Sequence, residues 1–255
     1  GGQLTAGTGA VDLDAGGTLD LNNAIISAGT VQIDSTGLTT IDALGDIAAD
    51  DAVTFGAAKA GLVSTGGDIT TSDDTITFNQ AVTLIGDVAL STGGGAGDII
   101  TVAAVDGDGV VDRALQLTAG TGNVDLQAAV GGGQALGSLT VTSAATVDTL
   151  AVKVVDDISI TADEINFGGG GDSVESTGSG TVTLRPTAND VDIEVAAAGE
   201  GAGELDLLVS DIAALKDGFG GIVIGVAGTG EHAITINAVT FNDPVTIQAR
   251  ANSGL

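Results

Sequence analysis

The sequence predicts an all-β chain wound as a parallel β-helix of roughly 11 coils, each about 23 residues long. Three observations carry the prediction. First, Asp50-Asp51-Ala52-Val53-Thr54-Phe55 returns as Asp73-Asp74-Thr75-Ile76-Thr77-Phe78 and, weakened, as Gly97-Asp98-Ile99-Ile100-Thr101-Val102. A repeat this short cannot fold alone, but it suits a coil stacked on copies of itself. Second, 43% of the residues are apolar, yet only 5 are Phe and none is Trp, Tyr, Met or Cys. Sandwich folds anchor their centre on aromatics, whereas Val, Ile, Leu and Ala suit narrow layers of equal size. Third, short runs rich in Val, Ile, Leu and Thr recur roughly every 8–10 residues between Gly, Asp, Asn and Ser breaks.

Along the chain, strands are expected at Val11 to Leu13, Thr18 to Leu21, Thr75 to Phe78, Ala81 to Leu84, Leu139 to Thr142, Asp157 to Thr161, Thr181 to Leu184 and Val191 to Val195. Within the repeated phrase, alternation turns Val53, Phe55, Ile76, Phe78, Ile100 and Val102 inward and sets Thr54, Thr77 and Thr101 in an outward column. Two longer echoes keep the spacing: Leu4 to Ala15 matches Leu117 to Ala128, and Thr77 to Leu84 matches Thr240 to Ile247. At a rung spacing of about 4.8 Å the coils form a rod about 50 Å long. The glycine runs Gly93 to Gly97, Gly131 to Gly133 and Gly168 to Gly171 read as corner loops, because the period resumes across the first. One segment departs from the pattern. Ser210 to Gly218 reads as a short helix near 211–216, with Ser210 or Asp211 as N-cap and Gly218 as a left-handed stop, followed by a strand from Gly221 to Ile224. Residues 1–255 are expected to form a single solenoid domain, and a start at Gly1 without Met suggests a mature or excised segment of a longer chain.

Six Lys and Arg against 34 Asp and Glu give a net charge of −28. That sign excludes nucleic acid and an anionic membrane surface as partners and favours cations. It also keeps a Gly- and Val-rich β protein soluble. No apolar run is long enough to span a bilayer, and without cysteine there is no disulfide or thiol chemistry.

The sharpest metal candidate is Asp106-Gly107-Asp108-Gly109-Val110-Val111-Asp112, where Asp106, Asp108 and Asp112 offer carboxylates on a glycine-bearing turn that suits calcium. A solvated acidic turn is its bland alternative. The stacked carboxylates of Asp51, Asp74 and Asp98 would repel unless they cap backbone N–H groups at a wet corner or share a cation; capping is the expected use. Asp190, Asp192 and Glu194 alternate along one strand and are expected to face water. His232, beside Glu231, is the only histidine and has no placed nucleophile, so it reads as a surface residue. The Thr-x-Thr pairs are too few and too close to acids for a flat ice-binding array.

The phrases LTAGTGNVDL at Leu117 to Leu126, ALGSLTVTSA at Ala135 to Ala144, GGDITTSDDTITFNQAVTL at Gly66 to Leu84, VTFNDPVTI at Val239 to Ile247 and DGFGGIVIG at Asp217 to Gly225 resemble the repeat vocabulary of large bacterial exoproteins of the filamentous haemagglutinin type. The resemblance implies a right-handed parallel β-helix, secretion, and a role at the bacterial cell surface or in extracellular matrix. It offers no catalytic residues. The expected function is therefore structural and adhesive, without enzymatic activity. The expected partners are copies of the chain stacked end to end, together with surface glycans or other matrix proteins. The competing readings are a β-helical polysaccharide lyase or hydrolase, disfavoured by six scattered basic residues, and a carbohydrate-binding module, disfavoured by the missing Trp and Tyr.

Overall fold

The structure is a computed structural model that describes residues 3–201, 203–227 and 233–249. The chain winds as a β-solenoid of about 10 turns with ~23 residues per turn, built from parallel strands and one short helix. The first sheet holds 11 strands, from Leu4–Ala6 to Val245–Gln248. The second holds 8, from Val11–Ala15 to Glu164–Phe167. The third begins with five strands, from Leu19–Leu21 to Val105–Gly107. Single bridges at Val130 then carry it to Val152–Val154 and Val174–Ser176, and a last bridge joins Val174 to Leu215.

The predicted alternation holds in the first two copies of the repeat. Val53 pairs with Ile76, Thr54 with Thr77 and Phe55 with Phe78, and the four apolar side chains are at most 1% exposed. The Phe55 and Phe78 rings stack with centroids 4.5 Å apart and planes 4° from parallel. The third copy requires a correction. Ile76 pairs with Ile99, Thr77 with Ile100 and Phe78 with Thr101, so the coil keeps a 23-residue spacing where the phrase match reads 24. Because side chains alternate with period 2, this one-residue difference reverses every residue of the copy. Ile99 and Thr101 point inward, Ile100 is half-buried, and Val102 is 43% exposed. The outward threonine column thus ends after Thr54 and Thr77, and the carboxylate column holds Asp51 and Asp74 without Asp98.

Thr101 lies between Phe78 and Leu126 in the inward column. Its smaller side chain leaves a cavity of about 10 Å³ lined by Phe78, Thr101, Leu126 and neighbouring aliphatics, and its Oγ1 has no hydrogen-bond partner. At the glycine run Gly131 to Gly133, Gly131 takes a φ of 73°, and a Cβ there would collide with the Lys153 carbonyl of the next coil. This close approach is why the corner is built from glycine.

One polar device recurs along the first two sheets. The Asp immediately before an inward Ile or Val accepts the N–H that the next coil presents one rung above. Asp46 accepts from Asp68 at 2.9 Å, Asp68 from Ala89 at 2.8 Å, Asp87 from Ala114 at 2.9 Å, Asp98 from Asn123 at 2.7 Å and Asp157 from Thr181 at 2.7 Å. In return the backbone ladder runs the other way: Ile47 donates to the Asp68 carbonyl and Ile99 to the Asn123 carbonyl. A carboxylate thereby extends the ladder one hydrogen bond past the strand start. For Asp98 this is the N–H capping expected of the acidic column, though the residue stands one place outside that column.

The helix, α1, spans Val209–Ala214, and a strand follows at Gly221–Gly225. The N-cap is Leu208 in place of the predicted Ser210 or Asp211. Asp211 sits one turn inside, and its Oδ2 accepts the Leu208 N–H at 2.8 Å. The helix starts and ends two residues before the expected 211–216, and Leu215 in extended backbone is its C-cap, so Gly218, at a φ of 127°, lies beyond the stop in place of forming it.

Two outcomes follow for stability, both read by urea unfolding with far-ultraviolet circular dichroism, since the chain lacks Trp and Tyr. Asp68→Ala lowers stability by about 1 kcal/mol, the usual worth of a capping acceptor, while Asp68→Asn keeps most of it through its amide oxygen. Equal loss in both variants would contradict the device. Thr101→Val removes an unpartnered buried hydroxyl at almost constant volume and raises stability by about 1 kcal/mol.

Candidate functional site

The regular winding changes in the ninth coil. Thr181 pairs with Gly221, a separation of 40 residues, so this coil carries an insertion. The added chain forms two parallel strands, Asp192–Ala197 and Glu204–Leu208, and then α1. Asp192–Ala197 also pairs with Ile234–Ile236 on its other side. Glu204–Leu208 lies beside Glu164–Phe167 without joining its ladder. At that break the Phe167 N–H turns to the Asp211 carboxylate, donating to Oδ1 at 2.9 Å. Asp211, only 3% exposed, thus holds both the orphaned strand and the first turn of α1.

Alternation decides which side chains meet. Ile193, Val195, Leu205 and Leu207 point into the core and are at most 1% exposed. The residues between them point the other way, and the register sets Asp192 opposite Glu204 and Glu194 opposite Asp206. Like charges directly opposed across a strand pair are destabilising. Oxygens of Glu194, Glu204 and Asp206 all lie within 4.8 Å of one another. Gly201 lies against this face: a Cβ there would strike the Glu204 carboxylate and come within 3.2 Å of Asp206 Oδ2. The Gly201 N–H donates to Asp206 Oδ2.

The individual carboxylates are unequally served. Asp192 Oδ1 accepts the Ala233 N–H at 2.7 Å, repeating the solenoid's capping device. Glu194 Oε1 accepts from the Asn237 side chain at 2.6 Å. Asp206 is 0% exposed, and its Oδ1 has no partner. Among the described residues no Lys or Arg forms an ion pair here; the recorded pairs join Lys59 to Asp14, Arg113 to Asp108, and Lys153 and Lys216 to Glu175. The electrostatic cost is visible in the neighbours. The Asp206 charge, then burial, raises the Glu204 carboxyl above its ordinary range. Burial, followed by the charges of Asp206, Glu200 and Asp211, pushes Glu164 up to about 7. Asp211 is raised by burial against its two backbone hydrogen bonds.

The sequence-predicted residues stand elsewhere. Asp106 Oδ1 accepts the N–H groups of Gly133 and Gln134 at 2.8 and 3.1 Å. Asp108 Oδ2 takes Nε and a terminal nitrogen of Arg113 at 3.1 and 2.7 Å, and its Oδ1 takes the Val110 N–H. Those hydrogen bonds, Arg113's first, hold the Asp108 carboxyl down at about 2. A cation at this turn would compete with Arg113 for the same carboxylate, while Asp112 lies exposed beyond it. Asp190 sits in the turn before its strand instead of alternating with Asp192, and Glu194 is half-buried against Asn237 and Asp206 instead of facing water. His232 and Glu231 lie outside the described residues. The cluster was missed because its members come from two strands only 12 residues apart. The sign that was present is the alternation Asp192, Glu194 followed by Glu204, Asp206 across a glycine-rich step.

No helix among the described residues is long and apolar enough to cross a membrane. No protein-family model, curated protein or solved structure matches the chain. The site's chemistry is therefore read from its own residues.

The raised Glu164 carboxyl fixes the sign of a pH effect. Its folded pKa of about 7 exceeds the ordinary 4.5, so the stability it contributes is complete below 4.5 and is lost as pH rises through 7. In metal-free buffer, thermal stability of the wild type should fall more steeply between about pH 5 and about pH 8 than that of Glu164→Gln. Parallel slopes in the two proteins would show that Glu164 is not perturbed.

Proposed function

We propose that the chain is a structural, adhesive rod of a bacterial cell surface or extracellular matrix, without enzymatic turnover, that assembles end to end. The supporting observation is how the described coils end. The first strand of the first sheet pairs on one edge with Ile25–Ser27, and its other edge is open among the described residues. Beside it Leu4 is 44% exposed, and Leu4, Leu13, Leu19, Leu21 and Ile25, together with Asp20, Asn22 and Asn23, line an open hollow of about 270 Å³. At the other end Val245–Gln248 pairs, among the described residues, only with Gly221–Gly225, with Val245 at 40% and Ile236 at 53% exposed. Among the described residues both ends thus present an unpaired parallel edge over an apolar rung, a combination that favours strand addition.

The occupant these ends fit best is another copy, stacked head to tail so that the ladder continues. Such a contact is heterologous and does not close, so it yields a filament. The side faces carry most of the carboxylates and oppose lateral association. Adhesion and an extracellular setting rest on the likeness of the repeat phrases to haemagglutinin-type adhesins. Surface glycans and matrix proteins are the corresponding partners along the sides.

Electron microscopy and sedimentation of the purified chain test the assembly. The expected result is concentration-dependent linear particles that Leu4→Lys combined with Leu13→Lys reduces to single rods of about 50 Å. Only single rods from the wild type at high concentration would refute end-to-end stacking.

A further inference from the structure

We propose that Glu194, Glu204 and Asp206 bind one hard divalent cation, calcium by its coordination chemistry, which fastens the Gly201 connection onto the ninth coil. Three carboxylates facing one another on paired strands do not by themselves make a site. The deciding feature is Asp206. It is fully buried under Gly201, its carboxylate belongs to the group within 4.8 Å, and its Oδ1 has no hydrogen-bond partner. A buried carboxylate oxygen without a donor is costly, and a directly bound cation relieves that cost most completely.

The geometry suits calcium. Two oxygens on one calcium at about 2.4 Å lie up to about 4.8 Å apart, the bound within which the three carboxylate oxygens here fall. Three carboxylates supply up to six oxygens, and solvent reaches the half-buried Glu194 and Glu204 to complete a shell of about six to eight. Magnesium binds at about 2.1 Å in a stricter octahedron, keeps several waters and is usually held by one or two carboxylates, so three converging carboxylates suit it less. No basic side chain among the described residues competes for the position. The consequence is local and structural. A cation cancels the cross-strand repulsion of Glu194 with Asp206 and clamps the short parallel step that carries the chain between the two strands.

The test uses the whole chain stripped with chelator and titrated calorimetrically with calcium chloride in about 150 mM sodium chloride, which screens diffuse binding to the acidic surface. The wild type should take up one calcium per chain in a saturable step. Its Tm should rise by about 5 °C or more at about a hundredfold excess over Kd. Glu204→Gln and Asp206→Asn should weaken that step at least tenfold while leaving the metal-free Tm equal to or above that of the wild type, since each removes a repelling charge. Glu204→Gln makes the test even where Asp206→Asn fails to fold, because Glu204 is half-buried and its side chain makes no recorded hydrogen bond. The double variant Asp106→Asn, Asp108→Asn should bind as the wild type does. The proposal is overturned by absence of a saturable step in the wild type, by unchanged affinity in Glu204→Gln, or by loss of binding in the Asp106 and Asp108 double variant alone.

Discussion

Everything in this molecule follows from one constraint: each rung must find a partner one rung away, at about 4.8 Å, with its backbone donors and acceptors in phase. A coil therefore has to return its chain to the same place after about 23 residues, and side chains stack on their counterparts whether or not they attract. For apolar residues this stacking is favourable. It explains a core of Val, Ile and Leu, in which the two adjacent phenylalanines stack face to face. For acids it is unfavourable, because a carboxylate above a carboxylate repels. Along the first two sheets Asp46, Asp68, Asp87, Asp98 and Asp157 each take a backbone N–H of the next coil, so part of the negative charge extends the ladder. An acidity that looked like a solubility device is in good part a structural one.

This clarifies what the sequence could and could not disclose. The period, the strand parity and the existence of the helix were legible because each rests on local pattern: apolar alternation, glycine corners and a polar start before Ile212 and Leu215. The third copy of the phrase was misaligned because two adjacent acids precede the strand in the second copy and only Asp98 does in the third. Matching acid to acid moved the register by one. The better guide was the pair Asp-Ile or Asp-Val after glycine, at Gly45-Asp46-Ile47, Gly67-Asp68-Ile69, Gly86-Asp87-Val88 and Gly97-Asp98-Ile99. There the Asp has a fixed task, so its position relative to the inward residue is conserved by geometry within the chain. Repeats align on the residue whose hydrogen bond depends on register.

The ninth coil shows the same constraint under strain. Inserting a second strand within 40 residues leaves one side of Glu164–Phe167 without a ladder partner, and Asp211 replaces the missing acceptor from within α1. The short return to Glu204 also brings like charges opposite each other, and it buries Asp206 where no second donor reaches it. Like-charge pairing, an unsatisfied buried carboxylate oxygen and a lost ladder partner coincide at this place, whereas along the other coils stacked acids such as Asp125 with Asp148 and orphaned hydroxyls such as Thr101 Oγ1 occur apart. Such concentrated failure marks a site whose stability depends on something besides the chain's own contacts. None of it is visible in composition, because the number of acids there is ordinary for this protein. What is unusual is a buried carboxylate oxygen among them that has no partner.

The distribution of charge and apolar surface also orders the ways in which rods can meet. Two rods side by side bring carboxylate-bearing faces together, and with a net charge of −28 that approach is repulsive except where cations intervene. Two rods in the proposed end-to-end arrangement would meet through the backbone edges left open among the described residues and the exposed side chains of Leu4, Val245 and Ile236. The two directions respond oppositely to salt. Screening eases lateral contact and leaves the ladder and apolar rungs at the ends almost unchanged. A cation held near the last described coils acts on neither process directly. Its effect would be confined to the insertion, whose first strand pairs with Ile234–Ile236, whereas Val245–Gln248 pairs with Gly221–Gly225.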